Sequence, residues 1–195
     1  MNQDYPPTLP DRRDWTVVIV EGCEECGYVP SNPHDSSARL AAAAAEWPEV
    51  LGSEGIRERP EPTVWSPLEY AVHARDMVRL LGARVGAMLA DEDPVFEDWD
   101  GDVHAAEGRY WEADAAQIIE DIRLATRQTQ SVLARVGRSD WERTGRRSDG
   151  RRFTVATLSQ YLVHDVEHHL QDARLGLRVR VPLLGRPATT GPTDR

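Results

Sequence analysis

The chain has 195 residues and a formal net charge of −10, which is enough chain for one domain with a buried core. Apolar residues make up 40% of it and charged residues 29%, a composition typical of soluble globular proteins. No apolar run approaches the roughly 18 residues of a membrane-spanning helix, and the N-terminus lacks the apolar core of a secretory signal. Two cysteines are too few for a disulfide framework, so a reducing cytoplasm is predicted. The net acidity argues against nucleic acid as the main partner.

The N-terminal part is rich in proline and turn-forming residues, and we expect residues 1–34 to be an extension outside the main domain. Within it, the β-branched run Trp15–Val20 predicts a short strand. Cys23 and Cys26 follow that run directly and form a CxxC pair.

Four amphipathic helices are predicted in residues 35–176. The first covers Ser36–Leu51, with Asp35 as its N-cap and Pro48 ending or kinking it. The second begins at Ser66 with a capping box and a proline at its first position, and extends to about Ala90.

The third helix covers about Ala113–Val136, and the fourth covers about Thr154–Leu175 with Gly176 as its C-terminal cap. Long connections span 91–112 and 137–153, the first strongly acidic and the second strongly basic. Four helices with such links predict an all-α, four-helix bundle. Residues 177–195 are expected to be extended or disordered.

Histidines mark the candidate site. His164 and His168 are four residues apart on the fourth helix and therefore share a face, which we trace as an inward stripe of Thr157, Tyr161, His164, His168, Gln171 and Leu175. His73 lies on an apolar stripe of the second helix with Leu80 and Leu81. A buried imidazole needs a partner, and three such rings on facing helices are a candidate His₃ metal site with an open position for catalysis. The alternative is a bundle in which these histidines only form hydrogen bonds.

Two stretches carry a resemblance to a known family. Trp65–Asp76 and Tyr161–Asp172 resemble the DinB-like superfamily of bacterial four-helix bundles, which has one histidine on the second helix and HxxxH on the last. Pro94–Asp100 and Arg147–Thr154 are similar to an actinobacterial branch of it. The resemblance covers roughly residues 35–175 and implies that His73, His164 and His168 are the metal ligands.

The resemblance also implies a range of activities, because the superfamily includes bacillithiol and mycothiol S-transferases and a mycothiol-dependent maleylpyruvate isomerase. We therefore expect a metal-dependent transferase, isomerase or hydrolase that uses zinc, or else nickel, with mycothiol as cosubstrate and a small electrophile as substrate. A homodimer is one option for its assembly. The alternative is a non-catalytic metal-binding protein with an accessory role in stress or biosynthesis.

Carboxylates near the histidines are candidates for supporting roles. Glu69 and Asp76 are spaced to accept the second N–H of His73, although either could be an ordinary exposed carboxylate. Asp165 and Glu167 are expected to face solvent or a neighbouring helix. His169 is left outside the triad implied by the resemblance.

Cys23 and Cys26 supply half of a structural zinc site. His34 is a candidate third ligand, with Asp35 or a cysteine pair of another subunit as the fourth. A redox pair would need a helix after the first cysteine, which the following glycine and prolines disfavour. A plain pair of reduced thiols is the remaining alternative.

Overall fold

A computed structural model describes residue 8 and residues 13–179 of the chain. The predicted extended tail lies outside these residues from position 180 onward. The helices are α1 (Val18–Glu21), α2 (Ser36–Leu51), α3 (Pro67–Ala90), α4 (Gly101–Glu107), α5 (Ala115–Leu133) and α6 (Val155–Arg178). The strands are β1 (Val95–Phe96), β2 (Thr144–Arg147) and β3 (Arg152–Thr154).

The four-helix bundle predicted from the sequence is confirmed, and it is built from α2, α3, α5 and α6. Helix α3 packs mainly against α6 and α5, while α2 packs against α5 and α6. At the crossing of α3 and α5 the backbones come close, because a Cβ built on Gly82 would meet Thr129 Oγ1 at 2.2 Å. The core runs the length of the bundle and includes Leu40, Leu81, Ile122 and Leu162.

Local signals set the helix starts. The predicted capping box at α3 is present: Ser66 N–H donates to Glu69 Oε2 at 2.8 Å, and Glu69 N–H donates to Ser66 Oγ at 3.3 Å. Helix α6 starts with a similar reciprocal pair between Thr154 and Thr157. These caps satisfy backbone donors that have no partner inside the helix.

The two long connections meet in a small sheet at one end of the bundle. β1 pairs with β2 in parallel, and β2 pairs with β3 antiparallel. Phe96 and Phe153 are buried beneath it. The sheet therefore fixes both connections over the region between α3 and α6.

Two local predictions were wrong. Trp15–Val20 is helical, with a 3₁₀ turn over Trp15–Val17 followed by α1. Asp14 accepts a hydrogen bond from Thr16 N–H and caps this turn, and packing against α6 overrides the β propensity of the valines. Gly176 does not end the last helix, which continues to Arg178.

Among the described helices, none is long and apolar enough to cross a membrane.

Candidate metal centre

Helix α6 carries two pairs of residues whose side chains could bind a metal ion, and the members of each pair are four positions apart. One pair is His164 and His168, and the other is Asp165 and His169. Neighbouring positions on an α-helix are rotated by about 100°, so the two pairs face different parts of the molecule. The first pair faces the N-terminal segment, and the second faces α3.

The first cluster consists of Cys23, Cys26, His164 and His168. One ligand atom from each of the four lies within 4.8 Å of the others. Cys23 Sγ is 3.6 Å from His168 Nδ1, and all of these residues except the half-buried Cys26 are buried. The Trp15 ring stacks on His164 at 5.6 Å and covers this side of α6.

The second cluster consists of His73, Asp165 and His169, which also offer ligand atoms within 4.8 Å of one another. His73 Nε2 lies 3.8 Å from Asp165 Oδ1, too far for a hydrogen bond. His169 Nδ1 is 3.0 Å from Asp172 Oδ2, an arrangement that fixes the ring and leaves its other nitrogen as a ligand.

Buried polar atoms without a hydrogen-bond partner within the described part of the chain occur in both clusters. They are His73 Nδ1, Asp165 Oδ1 and both ring nitrogens of His164. Leaving such atoms unsatisfied costs about 1–3 kcal/mol each, whereas a metal ion would use one atom of each ligand. The donor sets fit transition-metal chemistry, since imidazole, thiolate and carboxylate are the usual zinc ligands.

Burial shifts the pKa values of groups in both clusters, and for the histidines the shift favours the neutral form that metal binding requires. It lowers the pKa of His73 well below its usual value and that of His164 to about 3, so both rings are neutral near pH 7. Burial also raises the pKa of Asp165 to about 6. This buried carboxylate faces no arginine within ion-pair distance among the described residues, so a cation at the cluster would stabilise its charge.

The three predicted ligands are divided between the two clusters. His164 and His168 lie with the cysteines, while His73 lies with Asp165 and His169. The traced inward stripe differs from the buried face of α6 as well, because Leu175 is exposed and Asp165 is buried. The reason is that α6 is covered on two sides, by the bundle and by the N-terminal segment.

The sequence did not lead us to predict Asp165 and His169 as metal ligands. The signal was present, since Asp165 and His169 repeat the i, i+4 spacing one position later. Their clustering with His73 follows only from the rotation of α6 against α3.

The other predicted supporting residues have different partners. Glu69 is fully buried, and its two oxygens accept hydrogen bonds from Arg59 and from the cap at Ser66. Asp76 accepts hydrogen bonds from Arg75 and from the Tyr110 hydroxyl at 2.6 Å.

His34 and Glu167 also lie apart from both clusters. His34 is exposed beside the Trp141 ring. Glu167 forms an ion pair with Arg39 of α2, as expected for a side chain that faces a neighbouring helix.

A cavity of about 760 Å³ opens above the clusters and is lined by all five residues His73, His164, Asp165, His168 and His169. Aromatic side chains, among them Trp65, Trp99 and Tyr161, form part of its wall. Arginines form another part, namely Arg13, Arg84, Arg147 and Arg151. The basic second connection therefore contributes to the cavity, as Arg147 and Arg151 flank the turn between β2 and β3.

Fold and site together define a helical-bundle protein with a candidate metal centre on its last helix. The chain belongs to the DinB superfamily, whose family model matches residues 33–173. Among solved structures it is similar to YfiT from Bacillus subtilis, described as a probable metal-dependent hydrolase with an unusual four-helix bundle topology. The two are 14% identical with a TM-score of 0.63, over 88% of this chain and 93% of that one. Curated proteins give no significant match.

Proposed function

We propose that this chain is a metal-dependent enzyme whose divalent ion is held by His73, Asp165 and His169 on the wall of the cavity. The observation that supports this most directly is the buried Asp165 Oδ1, which has no hydrogen-bond partner among the described residues and lies 3.8 Å from His73 Nε2 in a cluster that lines the cavity. A zinc ion bound by two imidazoles and one carboxylate would have one coordination position open, as in catalytic zinc sites.

Zinc is the first candidate for the ion, with nickel as the alternative. An ion held there would supply Lewis-acid chemistry by lowering the pKa of a coordinated thiol or water. Two features of the chain favour binding of the ion at this site. Burial lowers the pKa of His73 and keeps its ring neutral, and Asp172 orients the His169 ring through the 3.0 Å contact.

The reaction we propose is the transfer of a small-molecule thiol, such as mycothiol, to an electrophile. The thiol loses its proton to water, and a sulfur lone pair forms the new bond to the electrophilic carbon. The leaving group departs with the electrons of the bond that breaks. A cavity of about 760 Å³ is large enough for two small reactants.

The arginine part of the cavity wall does not by itself select an anionic reactant, because Arg147 and Arg151 are paired with Asp149 and the lining also contains carboxylates. Arg84 is buried in this wall and donates to the Glu97 carbonyl oxygen at 2.5 Å. Hydrolysis without a thiol is the second candidate reaction, because YfiT is described as a probable metal-dependent hydrolase.

Turnover with defined reactants tests the proposal. The zinc-loaded protein is incubated with mycothiol and a chromogenic electrophile, and separately with a chromogenic ester and no thiol. Thiol transfer predicts product only when the thiol is present, and His73→Ala should abolish it. His34→Ala removes an exposed histidine that lies apart from both clusters and from the cavity lining, so it should keep full activity. Turnover that is unchanged in His73→Ala would refute the proposed site.

A further inference from the structure

We propose that Cys23, Cys26, His164 and His168 form a second, closed site that holds a structural zinc ion and fastens the N-terminal segment to α6. This inference does not depend on the proposed function, since it concerns different ligands. Two thiolates and two imidazoles are one of the standard complete sets for structural zinc.

The geometry of the cluster matches such a site. With bonds of about 2.3 Å to sulfur and 2.1 Å to nitrogen, the ligand atoms of a tetrahedral zinc ion lie about 3.3–3.8 Å apart. Cys23 Sγ and His168 Nδ1 are 3.6 Å apart, and all four ligand atoms lie within 4.8 Å of one another. Small side-chain adjustments therefore suffice to bind the ion.

The buried imidazole of His164 is the second, independent observation. Its side chain is 3% exposed, yet neither ring nitrogen has a hydrogen-bond partner among the described residues. Coordination would satisfy one of these nitrogens. On the other side of the His168 ring, Nε2 lies 3.5 Å from Asp172 Oδ2, and a carboxylate is common at that position behind a metal-bound histidine.

The backbone around the two cysteines is folded as a tight loop. Gly27 N–H donates to the Cys23 carbonyl oxygen at 2.9 Å, and Cys23 N–H donates to the Tyr28 carbonyl oxygen at 2.9 Å. Gly22 has a φ of +80°, and a Cβ there would meet the Tyr28 oxygen at 2.7 Å. A glycine is therefore needed for the loop that directs both cysteines toward α6.

The ion would add to the contacts that already attach the N-terminal segment to α6. Trp15 contacts the rings of His164 and His168, and the Tyr28 hydroxyl donates to the Gln160 carbonyl oxygen at 3.1 Å. The same segment forms one side of the cavity through Arg13, Trp15 and Glu25. A closed zinc site here would hold that wall in place and fix the rotation of α6, on which the positions of Asp165 and His169 depend.

Zinc stoichiometry of the full chain, purified under reducing conditions, tests the site. With both proposed sites filled, elemental analysis should find about two zinc ions per chain, and the double variant Cys23→Ser, Cys26→Ser should retain about one. His164→Ala should lose the same ion as the cysteine variant. Glu24→Gln, an exposed change between the two cysteines, should leave the zinc content and the melting temperature unchanged.

X-ray absorption at the zinc edge identifies the atoms bound to zinc, so it tests the structural site even if the cysteine variant does not fold. His73→Ala, which removes only the proposed catalytic ion, should retain one zinc with sulfur neighbours at about 2.3 Å. If zinc in this variant has only nitrogen and oxygen neighbours, the proposal of a structural site is overturned. A wild-type protein with one zinc that is lost equally in His73→Ala and His164→Ala would overturn it too, in favour of a single three-histidine site. If the proposed enzymatic function is wrong but the structural site is right, the protein should have zinc with sulfur neighbours and no turnover.

Discussion

Asp165 of α6 and His73 of α3 face each other across the helix interface, with Oδ1 3.8 Å from Nε2. Both residues are more than nine-tenths buried, and each has a polar atom without a hydrogen-bond partner within the described chain. This pair links the two helices that pack most extensively, so the candidate catalytic position is part of the bundle interior and is held by rigid elements.

Replacing Asp165 by Asn should weaken metal binding at the cavity site by at least about tenfold, since even the loss of an outer hydrogen-bonding partner of a ligand costs 10–100-fold. Isothermal titration with zinc, on the Cys23→Ser, Cys26→Ser background to isolate the site, measures the change. Glu107→Gln removes an exposed carboxylate on α4 and is the control. Equal affinity in Asp165→Asn and in the control would exclude Asp165 as a ligand.

Gly101→Ala should perturb His73 without unfolding the bundle. A Cβ at this position would lie 3.1 Å from His73 Cε1 and 3.3 Å from Nδ1, close enough to force the ring to move by a few tenths of an ångström. Ligand geometry tolerates little displacement, so we expect a several-fold loss of zinc affinity at the cavity site. Circular dichroism should stay unchanged, and an unaltered affinity would show that the ring adapts freely.

Gly82→Ala and Gly86→Ala form a matched pair on α3. The Cβ of the first would meet Thr129 Oγ1 at 2.2 Å, whereas that of the second would meet nothing closer than Val132 at 3.8 Å. Overpacking at position 82 should lower the free energy of unfolding by about 1–3 kcal/mol. At position 86 the helix propensity of alanine should raise it by up to about 1 kcal/mol. Denaturant unfolding measures both, and similar values for the pair would contradict the close approach of α3 and α5.

Asp149→Asn tests the ion pairs that hold the arginines of the cavity wall. Hydrogen bonding to Arg147 lowers the pKa of Asp149 to about 2, so the carboxylate contributes stability above about pH 4 and loses it as the pH falls toward 2. Because this carboxylate lies near the surface, the variant should lose less than about 1 kcal/mol at pH 7. The difference from wild type in denaturant unfolding should shrink between pH 4 and pH 2, and a constant difference would refute the pairing.

A thiol added to the cobalt-substituted Cys23→Ser, Cys26→Ser variant should produce a sulfur-to-metal charge-transfer band. The cysteine-free background is needed because the second site would itself give such a band in the wild type. Mycothiol should act at a lower concentration than a thiol of unrelated shape, since the cavity must accommodate it. A spectrum that no thiol changes would remove thiol transfer and leave hydrolysis as the proposed reaction.

Local sequence signals determined most of the architecture. The capping residues Ser66 and Glu69 fixed the start of α3, and helical periodicity gave the four long helices to within a few residues. Such signals act within one or two turns of helix, so they can be recognised without the rest of the chain. The failed prediction at Trp15–Val20 shows their limit, because a segment this short takes its conformation from what it packs against.

The sequence by itself supplied the residue types of the site: a CxxC pair, a histidine on α3, and a run of histidines and acids on α6. Only the tertiary structure decided how they are grouped. A rotation of about 100° around the helix axis separates Asp165 and His169 from His164 and His168. The sequence of α6 alone does not determine which of the two pairs faces His73. That choice depends on how α6 packs between α3 and the N-terminal segment, so contacts between residues distant in the chain divide one row of candidate ligands into two clusters.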